Sequence, residues 1–232
     1  MDTGKSIAAG LGSTLSGPKR LLLLGIHYWT TLQVVLIGLT LGIPWAGLRW
    51  RLLAGLWLLY LVPPLAAGIL RGLAPLREGR LPVGQRDFFV WWAMFNLQVI
   101  FCRLPALEEV LRLVPGLYGI WLRLWGARVG RLIYWGAGLR ILDRSLVRIG
   151  DGVIFGAAVR LNPHVLARNK SDEVELLLAK ITIGDAAMIG GYSLLTAGTE
   201  IAAGECTKAF LISPPFSKWQ GGTRIPNPEV GP

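Results

Sequence analysis

The chain is poor in charge, histidine and cysteine. Of its 232 residues only 16% are charged, there are two histidines and two cysteines, and acidic residues (14) are outnumbered by basic ones (24) for a net charge of +10. A soluble domain carries about 25% charged residues, and this deficit, with a mean hydropathy of +0.50, excludes a disordered basic tail. Cys102 and Cys206 form no CxxC pair and have no zinc-type spacing. A disulfide-stapled scaffold is therefore excluded, and a reducing compartment is compatible. Cys206 lies in a Gly- and Ala-rich segment with no histidine near it in sequence, and reads as a small buried thiol rather than a nucleophile.

Apolar residues are plentiful, at 53%, with ten Trp and thirty Gly. So many glycines imply tight turns or close backbone approaches rather than helices throughout. The charge divides unevenly. Residues 1–86 hold nine basic and two acidic side chains, a net +7, and the remainder holds fifteen and twelve, a net +3. Most of the excess thus flanks apolar runs, as juxtamembrane charge does, and nucleic acid is set aside as a partner.

Leu21 to Ile43 is an uncharged run of 23 residues, long enough at about 1.5 Å per residue to cross a hydrocarbon core of roughly 30 Å. Leu52 to Leu70 adds 19 more, and the short link between them predicts an antiparallel transmembrane hairpin over residues 21–72 after an N-terminal tail, 1–20. Pro63-Pro64 should kink or break the second helix, leaving a re-entrant hairpin as an alternative. The late start and the second span argue against a cleavable signal peptide. His27, Thr30, Thr31 and Gln33 place a polar patch on the first span, either to bond the neighbouring helix or to line a lipid groove. Lys5, Lys19 and Arg20 precede the hairpin and Arg71, Arg77, Arg80 and Arg86 follow it, against Arg49 and Arg51 in the loop. The positive-inside rule then gives a multi-pass protein of the inner or cytoplasmic membrane with both termini, and the C-terminal domain, on the cytoplasmic side. Residues 73–126 are apolar and aromatic but interrupted by Arg103, Glu108, Glu109 and Arg112, which predicts interfacial amphipathic helices. A third span over Phe88 to Phe101 is the rival.

After Gly126 the period changes. Ile183, Ile189, Leu195 and Ile201 fall six apart, as do Val129, Trp135 and Ile141, and Ile149, Phe155 and Leu161, with Gly130, Gly136, Gly150, Gly156, Gly184 and Gly190 directly after six of them. Six fits neither a helix nor a lone strand. It fits a coil of three flat faces, each pointing one residue inward, with coils stacking into a β-solenoid.

Ile149-Gly150-Asp151 followed by Phe155-Gly156, and Ile181-Thr182-Ile183-Gly184-Asp185 followed by Ile189-Gly190, resemble the hexapeptide-repeat acyltransferases. The stretch Trp121 to Gly130 is similar to the lead-in before the first coil in several of them. The resemblance, over roughly residues 121 to 222, implies a left-handed parallel β-helix for 127–232, acyl transfer from acetyl-CoA or another acyl-CoA as co-substrate with no permanently bound cofactor, and a homotrimer. Membrane lipid, or a lipid-linked or amphipathic acceptor, are the expected partners. A non-catalytic trimeric scaffold and a carrier-protein thioester donor are the alternatives.

Acyl transfer needs a base and donors for the oxyanion. His164, at the head of an insertion expected to be solvent-exposed over Val165 to Lys180, is the base the resemblance implies, and a corner histidine bonded to backbone is the alternative. Asp143, Glu173 and Glu175 are open as its orienting carboxylate. Asn162 and Arg168 flank His164 as candidate acceptor-binding residues. Gly190, Gly191 and Ser193 are placed by the resemblance along the donor groove, with Lys208, Lys218 and Arg224 as candidates for its phosphates and Trp219 for its adenine or as an end cap. No metal is expected: the γ-class carbonic anhydrases share the solenoid but ligate zinc with three histidines, and His164 stands alone in the C-terminal part.

Overall fold

The computed structural model describes residues 17–225. Most of the expected N-terminal tail, with Lys5, and the last residues of the 127–232 domain lie outside them. The described residues divide into two compact units: 17–76 with Val83–Ile100, and Arg77–Pro82 with Phe101 onward.

The first unit is helical. It comprises α1 (Gly17–His27), α2 (Trp29–Gly42), α3 (Leu48–Tyr60), α4 (Val62–Leu73) and most of α5 (Arg86–Arg103). The stretch expected as one span from Leu21 to Ile43 is interrupted at Tyr28, whose φ of −78° and ψ of 0° leave the helical region. The 14 residues of α2 rise only about 21 Å. Leu48–Leu73 is long and apolar enough to cross a membrane, 26 residues with a mean hydropathy of 1.9 over its most apolar window. Pro63 and Pro64 break it where expected: α3 ends at Tyr60 and the prolines fall in the first turn of α4, where a missing N–H costs nothing. Of the polar patch, Gln33 is buried and its Nε2 donates to the Leu58 carbonyl at 3.0 Å. The His27 ring stacks on Trp92.

The second unit is a β-helix-like solenoid, and the six-residue register sets its stacking. On one face Val129, Ile149, Ile183, Ile201 and Trp219 lie side by side in parallel pairing. On the next, Trp135 stacks on Phe155, which pairs with Ile189. The third face aligns Ile141, Leu161, Leu195 and Ser213. The upper two coils keep an 18-residue step, from Ile183 to Ile201 to Trp219. Their last inward positions turn polar, with Thr207 and Ser213 buried in place of aliphatic residues. Cys206 beside Thr207 is consequently exposed, a correction to the buried thiol expected: the register puts its neighbour inside.

The glycines after the inward residues serve close approach rather than turning. A Cβ on Gly156 would lie 2.4 Å from the Gly191 nitrogen of the next coil. The turning falls three residues after each inward position, in the left-handed region, at Leu132, Gly138, Gly152, Ala158, Ala186, Tyr192, Gly198, Gly204, Phe210 and Phe216. Ten of the twelve corners following Val129 to Ser213 obey this rule, and those after Ile141 and Leu161 do not.

Helix α6 (Ala106–Arg112) packs on the first coil through Glu109, which accepts from the Gly138 N–H, and α7 (Leu117–Leu124) closes the solenoid's end through Tyr118 edge-on to Trp135. The insertion is a hairpin, His164–Arg168 against Val174–Leu178, with Gly79–Pro82 added antiparallel as a third strand. Its tip is exposed, but Leu176, Leu177 and Leu178 are buried, which corrects the solvent-exposed excursion expected. The added strand and the contact of Leu177 with Ala197 cover them.

Candidate active site

The two exceptional corners lie on adjacent coils and hold Asp143 and His164. After Ile141 the chain spends eight residues, not six, before the next inward position, Ile149, and the extra two enter a 3-10 turn, Arg144–Leu146. This leaves Asp143 at φ 47° and 2% exposed. One coil on, at the matching corner, the chain leaves the solenoid at His164. The His164 Nδ1–H donates to Asp143 Oδ2. The carboxylate accepts only, so this bond fixes the tautomer and leaves Nε2 as the basic nitrogen. Burial disfavours the imidazolium and lowers the His164 pKa, but the charge of Asp143 and its hydrogen bond outweigh it, and the net shift is upward. The other candidate carboxylates are engaged elsewhere: Glu173 accepts from Asn169, and Glu175 pairs with Arg80 at 2.6 Å.

Next to Asp143 in the chain, Arg144 joins an ion cluster whose other members, Glu108, Arg112 and Tyr118, lie in the 73–126 stretch read from sequence as amphipathic and interfacial. Arg144 and Glu108 are both buried and ion-paired. Arg112 reaches the same carboxylate at 3.1 Å, and the Tyr118 hydroxyl donates to it. The Arg144 guanidinium lies 5.4 to 5.7 Å from the ring centres of Phe101, Trp121 and Trp125. Burial opposes its charge, yet Glu108 raises its pKa overall, so it stays protonated. The cluster holds the residue after Asp143 and so positions the dyad. A pocket of about 110 Å³ opens alongside, lined by Leu142, Arg144, Arg140, Arg160 and Asn162 among others.

The remaining predicted residues spread over the solenoid. Asn162 closes its strand two residues before His164. Arg168, at the far end of the hairpin strand, pairs with Asp172 at 3.2 Å. Gly190 and Gly191 form a different corner from that of His164. Ser193 is turned inward, its hydroxyl donating to the Gly190 carbonyl at 2.6 Å and accepting from the Leu211 N–H at 3.1 Å. Lys208 belongs to the last coil and is exposed. Lys218 and Trp219 occupy the last solenoid strand, with Arg224 opposite Trp219 in the terminal hairpin. The Trp219 Nε1–H donates to Ser213 Oγ at 2.8 Å, which fits the end cap. Among the described residues no group of His, Cys, Asp and Glu is arranged to hold a metal.

No protein-family profile and no curated protein matches the chain. Solved structures resemble it in part. A hexapeptide-repeat-containing acetyltransferase of Vibrio cholerae O1 biovar eltor, complexed with acetyl coenzyme A, is 21% identical over 40% of this chain, with a TM-score of 0.32, and the chain spans 54% of its length. Serine acetyltransferase isoform 3 of Entamoeba histolytica, in complex with cysteine, is 11% identical over 77% of this chain and 65% of its own, with a TM-score of 0.28. A maltose O-acetyltransferase of Clostridium difficile 630 is 14% identical over 54% and 83%, with a TM-score of 0.22. Likeness at this level carries no activity across, so the chemistry has to come from the chain's own geometry.

Proposed function

We propose that the protein is a membrane-associated acyltransferase, most simply an O- or N-acetyltransferase, that moves an acyl group from acyl-CoA to a hydroxyl or amine of a membrane-proximal acceptor. The observation that carries this reading is the buried Asp143 bonded to His164 at the two corners where the solenoid's turn rule fails. His164 Nε2 takes the acceptor's proton as the acceptor oxygen or nitrogen bonds to the thioester carbonyl carbon. Backbone N–H groups meet the oxyanion. The C–S bond then breaks, and the coenzyme A thiolate leaves with the proton that His164 returns. Asp143 stabilises the imidazolium between the two transfers.

The donor's pantetheine arm is assigned to the coils at Gly190 and Gly191, with Lys218, Trp219 and Arg224 at its nucleotide end; Ser193, buried and bonded inside the coil, is set aside as a donor contact. Asn162 and Arg168 are assigned to the acceptor. Membrane attachment is supported by Leu53, Leu56 and Trp57, each more than half exposed on α3 in a segment of spanning length. The hairpin is read as spanning, with the solenoid cytoplasmic. The coil is read as left-handed and the assembly as a homotrimer, a reading supported by the exposed Tyr192, Phe210 and Ile212 on the upper coils.

The test is thiol release from acetyl-CoA by the full chain in detergent, with membrane extract as acceptor source and an acylated carrier protein as parallel donor. His164→Ala should lower the rate about 10²- to 10⁴-fold. Full activity in that variant, or no thiol release from either donor, overturns the reading.

A further inference from the structure

Arg140 and Arg160 are direct neighbours in parallel strands, both outward and both exposed. Neighbouring strands are about 4.8 Å apart, so this register starts two arginine side chains side by side on one face. Neither has an acidic partner among the described residues. Like charges in register disfavour the sheet, and the same ladder continues upward as Leu194 and Ile212. The arginines therefore occupy only the two coils that supply Asp143 and His164. They line the pocket of about 110 Å³ together with Asn162, two residues from His164, and with Leu142 and Arg144 on either side of Asp143. Glu108 in the pocket wall is already neutralised by Arg144 and Arg112. The wall thus keeps two uncompensated positive charges and an amide. A pocket well under the ~300 Å³ at which small-molecule sites begin admits a chemical group rather than a whole ligand.

We propose that this pocket binds a phosphoryl group on the acceptor, held between Arg140 and Arg160. This rests on the acyl-transfer reading for the word acceptor but not for the binding. Two guanidinium forks on adjacent strands, with Asn162, offer more donors than one carboxylate can accept. A phosphoryl dianion has oxygens for both forks and compensates both charges. The phosphoryl group can belong to a lipid headgroup or to a soluble phosphorylated acceptor.

The experiment measures binding in the full chain in neutral detergent, using inorganic phosphate and glycerol 3-phosphate by calorimetry and thermal shift. Mixed micelles containing phosphatidic acid or phosphatidylcholine serve as competitors. Arg140→Gln/Arg160→Gln should weaken binding at least tenfold and abolish the phosphate-induced rise in Tm. It should also raise Tm in the absence of anion, because the like-charge contact is gone. His164→Ala should bind like the wild type. Arg128→Gln/Arg148→Gln is the control, since that pair shares the same register on another face away from the pocket. Competition by phosphatidic acid assigns a lipid source, and displacement by glycerol 3-phosphate alone assigns a soluble one. Equal loss in the control pair, or no binding of any phosphate probe by the wild type, overturns the proposal. Phosphate binding that survives in a protein with no transferase activity would sink the acyl-transfer reading and leave the anion site standing.

Discussion

Glu108 is in contact with two guanidiniums whose side chains are buried, and its replacement by glutamine is the most demanding test of how the site is held. The substitution keeps the shape and removes the charge. Arg112 retains Glu109 at 2.6 Å and the Leu139 carbonyl at 3.0 Å. Arg144 loses this ion pair and keeps, among its contacts, Cys102 Sγ at 4.0 Å and three aromatic rings. Breaking a buried pair by removing one partner costs about 3–5 kcal/mol, because the other charge stays buried without compensation. The rings return part of that, which places Glu108→Gln near the lower end, at about 3 kcal/mol. With a shift of about 2–4 °C per kcal/mol for a chain of this size, Tm should fall by about 6–12 °C in a thermal unfolding scan of the detergent-solubilised protein. The double variant Glu108→Gln/Arg144→Met removes both charges and should recover most of the loss. Transfer activity should follow the same order, since Arg144 adjoins Asp143. A Glu108→Gln protein that unfolds within about 2 °C of the wild type would refute the claim that this carboxylate compensates Arg144.

Asp143→Asn removes the charge that outweighs burial at His164, so the His164 pKa should drop below its ordinary value. The acid limb of the kcat/KM profile should then move to lower pH while kcat falls, and a profile that stays in place would show that another group titrates. The raised pKa of native His164 also sets the sign of its effect on stability. The contribution is full below the unfolded value of about 6.5 and is lost as pH rises through the higher folded value. The difference in unfolding free energy between wild type and His164→Gln should therefore shrink with rising pH through that window, and a difference that grows would contradict the assignment. Gly156→Ala forces a Cβ to 2.4 Å from the next coil's backbone and should cost about 1–3 kcal/mol or more. Gly204→Ala meets open space at a φ of 69° and should cost about 1 kcal/mol. Equal Tm losses would show that close approach is not what the hexad glycines provide.

The solenoid was legible because its inward positions repeat in the sequence. Val129, Ile149, Ile183 and Ile201 stack in the order that their spacing implies. Thr207 and Ser213 continue the register where the aliphatic signal stops, since position rather than polarity decides burial once coils stack. Glu108, Arg112 and Arg144 were legible as residues but not as a cluster. A charge that interrupts an apolar stretch looks the same whether it faces a headgroup or a buried partner 36 positions away. The added strand Gly79–Pro82 was out of reach for a similar reason, because its partner lies about a hundred residues on.

Asp143 was within reach, and the signal is the arithmetic of the repeat. Three regular corners place a large left-handed residue outward, Leu132 at 94% exposed, Phe210 at 73% and Tyr192 at 62%, whereas Phe216 is half-buried against Leu177 and Ala197. Tyr192 and Phe210 stack on each other across neighbouring coils at 5.2 Å yet stay in solvent, where a carboxylate's charge would be screened. A corner that deviates can bury an orienting carboxylate instead. The eight-residue step from Ile141 to Ile149 is such a deviation, as is the long departure after Leu161. Falling on adjacent coils at the same corner, the two irregularities turn Asp143 inward and bring His164 over it. In a solenoid of near-identical rungs, asymmetry is what chemistry requires, so the places where the repeat miscounts are where a base and its partner have to be sought.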